Sequence, residues 1–143
     1  MLTRLIYASE PTEALSPAVV QSIVDRARVN NSQMHLSGML AFDSQHFLQV
    51  LEGDRAAVSA LFGRIAADSR HRRLELIEVA PASERRFARW SMSFAAADAA
   101  HGETFLRFGG SARFAPYSMG AAGALGLLEA MAMAAAGAAP VRR

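Results

Sequence analysis

The chain has 143 residues, is 52% hydrophobic and carries a formal net charge of +2, so it is long enough to bury one core without help from metal or disulfides. It contains no cysteine, which excludes a disulfide framework, thiolate metal ligation and a cysteine nucleophile and fits a reducing, cytoplasmic compartment. The arginines are scattered over Arg70 to Arg73, Arg85 to Arg89 and Arg142-Arg143 without interleaved aromatics, so they read as solvated surface and direct nucleic-acid binding is not expected.

The opening MLTRLIYASE reaches Arg4 and Glu10 too soon for a secretory signal. Leu2 to Ser9 is a first strand, with Leu5, Tyr7 and Ser9 on one face and Arg4, Ile6 and Ala8 on the other. Glu10-Pro11-Thr12 breaks it. Ser16-Pro17 then offers an N-cap and a first-turn proline for a helix to about Val29. Its apolar stripe is Val20, Ile23, Val24 and Ala27, while Gln21, Asp25, Arg26 and Arg28 face water. The helix ends in Asn30-Asn31, either as a left-handed cap or as ligand contacts.

Leu36 to Phe42 and His46 to Leu51 form the clearest strand pair, joined by the turn residues Asp43-Ser44-Gln45. In the second arm Phe47, Gln49 and Leu51 share one face and His46, Leu48, Val50 and Glu52 the other. Both faces are mostly apolar, which places the strand centrally in a sheet. A primary amide at Gln49 must therefore find partners or cost about 1–3 kcal/mol.

Asp54 caps a second helix from about Arg55 to Asp68, striped by Val58, Leu61, Phe62 and Ile65, with Arg64 beside that stripe. Arg70 to Arg73 reads as a polar turn, in which His71 is exposed. Leu74 to Val79 alternates as a strand, Leu74, Leu76 and Glu78 opposing Glu75, Ile77 and Val79. Pro81 to Arg89 is loop-like, and Trp90 to Phe94 is a last strand with Trp90, Met92 and Phe94 on one face. The order β-α-β-β-α-β-β predicts an α+β, ferredoxin-like five-stranded sheet with both helices on one side.

Something else must cover the second apolar face. The candidate is the C-terminal part: a short helix near Glu103 to Phe108, a Gly109-Gly110 break, and Ser118 to Ala136, nearly all Ala, Gly, Leu and Met. Gly and Ala dominate this tail and Glu129 interrupts it, so it is not a membrane span. Gly120, Gly123 and Gly126 lack the strand and lysine of a phosphate loop and instead permit close helix packing. The tail covers the sheet or pairs with a second copy.

The polar residues expected on the helix side of the sheet are Tyr7 and Gln49, with Asn30, Asn31 and Arg64 near the helix ends. They include no nucleophile with an adjacent base and no metal-ligand spacing. Amides and a phenol both donate and accept hydrogen bonds, which suits a flat neutral heterocycle with imide-like edges.

RLIYASE, ARVNNSQMHLSGML, FLQVLEG, the Arg64 helix with DSRHRR after it, and RRFARWSM, in this order over Leu2 to Phe94, resemble the BLUF family of blue-light sensors that use FAD. The resemblance implies that Tyr7 is the photoactive tyrosine, which gives an electron and a proton to the excited flavin. It makes Gln49 the amide between that tyrosine and the flavin, and gives Asn31, Asn30 and Arg64 contacts along the flavin's pyrimidine edge. Trp90 and Met92 match a pair that relays the signal from Gln49 into the sheet. It further implies a flavin-binding core over 1–95 and a C-terminal helical extension over 96–143. Output then passes to a partner protein in trans or through a homo-oligomer, without catalysis or a membrane.

Two departures from the family pattern bear on photocycle speed and coupling. His35 stands where a glycine commonly precedes the strand, and Ala27 stands where relatives often have serine. The rival readings are an acylphosphatase-like hydrolase on the same sheet and a light-insensitive interaction module. The intact Tyr7 and Gln49 argue against the latter.

Overall fold

The computed structural model describes residues 1–138; residues 139–143, with Arg142 and Arg143, lie outside the described part. The elements run β1 (Leu2–Pro11), α1 (Pro17–Gln33), β2 (Ser37–Phe42), β3 (Phe47–Asp54), α2 (Arg55–Ala67), β4 (His71–Pro81), β5 (Ser93–Ala96), α3 (Gly102–Phe108) and α4 (Ala121–Ala138), with 3-10 turns at Ala99–His101 and Pro116–Ser118. The five strands are ordered β4-β1-β3-β2-β5. β3 separates β1 from β2, and β1 separates β3 from β4, so each β-α-β unit skips one strand, as in ferredoxin-like folds. β5 adds to β2 in parallel.

Local chemistry sets the element starts where the sequence indicates them. Ser16 Oγ accepts from the Val19 N–H at 3.2 Å ahead of Pro17. Asp54 Oδ2 accepts from the Ala56 N–H at 3.3 Å. In the hairpin turn Asp43 Oδ1 accepts from the N–H groups of Gln45 and His46 at 2.8 and 2.7 Å, which closes the loop between β2 and β3.

The differences arise where a neighbouring strand decides. Pro11 does not end β1: it pairs with His71 at the strand's last position, where a missing N–H costs little. His71 to Arg73 are consequently strand and not turn, and Arg72 meets Glu10 at 3.2 Å. Register shifts in the β1–β4 ladder set Glu78 opposite Ile6 and Leu76 opposite Tyr7, so Glu78 leaves the face it was expected to share with Leu76. Asn30 and Asn31 remain helical. The left-handed residue after α1 is His35, at φ 55°.

The sheet is buried on both sides, as expected. Leu5, Tyr7 and Leu51 pack under Val20 and Val24 of α1 and Val58 of α2. On the other face Ile6, Leu48 and Val50 pack against Leu127, Leu128 and Met131 of α4 and Phe105 of α3. Gly126 lets these two helices meet, because a Cβ there would overlap the Phe108 ring.

Candidate functional site

Tyr7 and Gln49 are direct cross-strand partners in β1 and β3, and strand alternation points both side chains to the α1/α2 face. The buried Tyr7 hydroxyl donates to Gln49 Oε1. Burial holds the phenol well above its usual pKa, with the Asp68 carboxylate adding to the effect, so it stays a donor throughout the working pH range. Gln49 Nε2 donates to Met92 Sδ at 3.4 Å. A thioether is a weak acceptor, so the amide keeps one N–H and one lone pair uncommitted.

Those groups open into a cavity of about 210 Å3 between α1, α2 and the sheet. Tyr7, Asn30, Asn31, Gln49 and Arg64 all line it, so the five side chains expected to hold a cofactor share one space. Its walls are apolar, with Leu40 and Phe47 from the sheet and Ile23 and Ile65 from the helices. Asn31 is buried and gives Nδ2 to Ser91 O at 2.9 Å. Arg64 has no carboxylate partner among the described residues and makes only a 3.9 Å contact with Met34 Sδ.

Five residues at or beside the cavity were not anticipated. Arg26, expected to face water, lines it together with Asp68, Arg70 and His71. Arg26 precedes Asn30 by four residues, and that helical spacing was the available signal. Arg70 grips Asp68 through Nε and Nη2, the latter at 2.6 Å, and these bonds hold the Asp68 carboxyl down at about 2. His71, expected to be exposed, faces Ser9 Oγ at 3.0 Å and tilts against Phe47. Burial lowers its pKa, so at neutral pH it is uncharged. Arg28, also expected in water, donates from Nε to Met92 O at 2.7 Å.

Trp90 and Met92 do not share a face. Met92 lies in the α1/α2 core beside Gln49, whereas Trp90 packs into the α4 core. Strand alternation fails because β5 begins only at Ser93. The preceding residues arc over the sheet edge, with Trp90 O accepting from the Gly38 N–H at 3.1 Å.

Against known proteins, residues 2–93 match the family model described as BLUF, sensors of blue light using FAD. A photoactivated adenylate cyclase subunit beta of Euglena gracilis is 33% identical over 93 residues, 64% of this chain but 11% of that protein. A blue light- and temperature-regulated antirepressor of Escherichia coli K12 is 35% identical over 94 residues, 64% of this chain and 23% of that protein. The chain therefore spans a small part of these relatives, whose whole-protein activities are their own. Among solved structures, BlsA in its photo-activated state aligns over 100% of both chains with a TM-score of 0.83 at 26% identity. The dark-state structure of BlrB, a BLUF protein, covers 94% of this chain and 96% of its own with a TM-score of 0.75 at 27% identity. Residues 2–93 match a family of sensors and not of hydrolases, which sets aside the hydrolase alternative. Five separated motifs, a sheet with this strand order and a phenol paired to an amide beneath two helices agree with these likenesses, and the chain belongs to the BLUF family of FAD-using blue-light sensors.

Proposed function

We propose that this chain binds FAD with the ring system in the cavity between α1 and α2, and that the Gln49 amide is the switch. The donor set fits the group. Gln49 and Asn31 keep amide groups free for an imide-like edge, beside which Arg64 lines the same cavity, and Arg26 and Arg64, without carboxylate partners among the described residues, leave positive charge there for an anionic or carbonyl group. At about 210 Å3 the cavity is smaller than the roughly 300–1,000 Å3 that engulfs a drug-sized ligand. It encloses a ring and leaves the remainder at the mouth.

Bound FAD supplies light absorption and a one-electron acceptor. Tyr7 holds the transferable proton on its hydroxyl, and the chain holds that proton in one direction, toward Gln49 Oε1. Asn31 orients the ring edge while bonded to Ser91 O. Gln49 gives its oxygen to Tyr7 and an N–H to Met92 Sδ; set between the phenol and a flavin edge, the amide would have two near-equivalent arrangements, and a light-driven shift of the Tyr7 proton would change which is favoured. The observation that carries this reading is the Tyr7–Gln49–Met92 chain.

In this reading residues 1–95 sense light and residues 96–143 carry the output to a partner protein, the described part of that extension capping the sheet through α4. Self-association is the alternative route: Leu76 and Val79, 54% and 56% exposed on the edge strand β4, are apolar surface that pairing would cover. A cytoplasmic setting is supported by the absence of cysteine.

The test is an absorption spectrum in darkness, under blue light and during dark recovery. The purified chain should be yellow and show a small, reversible red shift. Gln49→Leu should remain yellow without the shift, and Tyr7→Phe should behave likewise. A colourless protein that cannot be loaded with FAD, or a flavin band unmoved by light, overturns the reading.

A further inference from the structure

Glu52 follows Gln49 by three residues on β3, so alternation turns it to the opposite face of the sheet. It is 0% exposed, and a carboxylate so placed must be fully bonded to persist. Its partners come chiefly from one stretch of chain. The Arg86 N–H donates to Oε2 at 2.7 Å and the Phe87 N–H to Oε1 at 2.8 Å. Ser37 Oγ donates to Oε1 at 3.1 Å, and the Arg4 guanidinium lies 3.6 Å from Oε2. Arg85 adds bonds to Ser37 Oγ at 3.0 Å and to Glu52 O at 3.3 Å.

The stretch pinned there runs on to Met92, where it is pinned again. Trp90 O accepts from Gly38, Ser91 O from Asn31 and Met92 O from Arg28. Between these anchors it crosses the sheet edge from one core to the other. Phe87 and Trp90 pack with the α4 side chains, and Arg86 Nη1 lies 3.9 Å from Glu129 of α4, while Met92 Sδ accepts from Gln49.

We propose that Glu52 is a positioning residue that latches residues 85–92 to the sheet, so that a change at the Gln49–Met92 contact is delivered to Phe87, Trp90 and α4. A strap held at both ends transmits a displacement into a close-packed core, and a strap free at one end absorbs it. The light-dependent part of this inference rests on the switch proposed above.

The test is hydrogen exchange followed by mass spectrometry on the full chain, in darkness and under blue light, for wild type and Glu52→Gln. The amide variant replaces one acceptor oxygen with a donor, so one N–H of Arg86 or Phe87 loses its partner. In darkness exchange over 85–92 should rise at least about tenfold, because a bond to a charged group is lost. Exchange in the buried part of α4, Ala124 to Ala132, should rise with it. Under light the flavin band should shift as in wild type, since Tyr7 and Gln49 are untouched, but the light-dependent exchange difference in α4 should vanish. Faster exchange over 85–92 beside an unaltered light response of α4 overturns the latch, and so does unaltered exchange in both segments. Ser37→Ala, which removes one bond to Oε1, should move both segments the same way by less, and it carries the comparison if Glu52→Gln does not fold. A wild type whose flavin band ignores light defeats the photoreceptor reading alone. The dark comparison still decides the latch, which stands if 85–92 and α4 loosen together and falls if α4 is unmoved.

Discussion

At Asp68 one carboxylate accepts three donors of Arg70: its backbone N–H, its Nε–H shared between both oxygens, and Nη2. The same charge faces the cavity and helps keep the Tyr7 phenol protonated. With its carboxyl held at about 2, Asp68 favours the folded state above the ordinary carboxylate value near 4, and that contribution drains away as pH falls from about 4 to about 2. Arg70 is 56% exposed, so solvent screens the pair and the amount is about 1 kcal/mol at most. Urea unfolding between pH 2 and pH 6 should show wild type more stable than Asp68→Asn at the upper end and the two converging at the lower. A constant gap across the range would mean that the pair acts through packing and not through charge. Neither Asp68 nor Arg70 stood out in the sequence as a site residue, because an acid and a base two apart after a helix look like any solvated turn. What makes them part of the site is β4 starting early and turning His71 inward.

At the scale of elements the legible features were the local ones. Ser16-Pro17, Asp54 and Asp43-Ser44-Gln45 act on backbone groups within a few residues, so the chain announces them without reference to its fold. β4 and β5 depend on partners. β4 begins where β1 still offers a ladder, and β5 begins late because Arg28, Asn31 and Gly38 bind the carbonyls of 90–92. Alternation therefore assigned Met92 and Phe94 to the correct face and Trp90 to the wrong one. The α1–β2 connection carries a prediction of its own. His35 is exposed and sits at φ 55°, a conformation that costs a side chain with a Cβ about 1–2 kcal/mol. Glycine relieves that strain but loses about 0.5–1 kcal/mol more backbone entropy on folding. His35→Gly should thus stabilise the chain by about 0.5–1 kcal/mol, read as a higher urea midpoint with an unchanged slope. A lower midpoint would show that the imidazole makes a compensating contact in solution.

For the whole molecule the question is whether sensor and extension are separable. The family match ends at residue 93, and a division at 95 follows motifs, yet the core ignores it. Ile6, Leu48 and Val50 of the sheet lie in the same buried cluster as Leu127, Leu128 and Met131 of α4, with Phe87 among them. Without α4 that face would be a broad apolar surface in water. The described part of the extension therefore shares one core with the sheet, and in the proposed reading loosening α4 should be felt at the flavin. Leu128→Ala tests this in the full chain, because Leu128 is 0% exposed and its truncation should cost about 2–5 kcal/mol. If the chain is one cooperative unit, thermal unfolding followed by helix signal and by flavin release should give a single shared midpoint in wild type, and the substitution should lower both together. Were helix signal to fall first while flavin stayed bound, α4 would be a detachable cap. The strap of residues 85–92 would then have nothing rigid on its far side to act against. Coincident midpoints would mean that the dark state stores the signal path as packing, so light has only to bias a structure already continuous from Gln49 to α4.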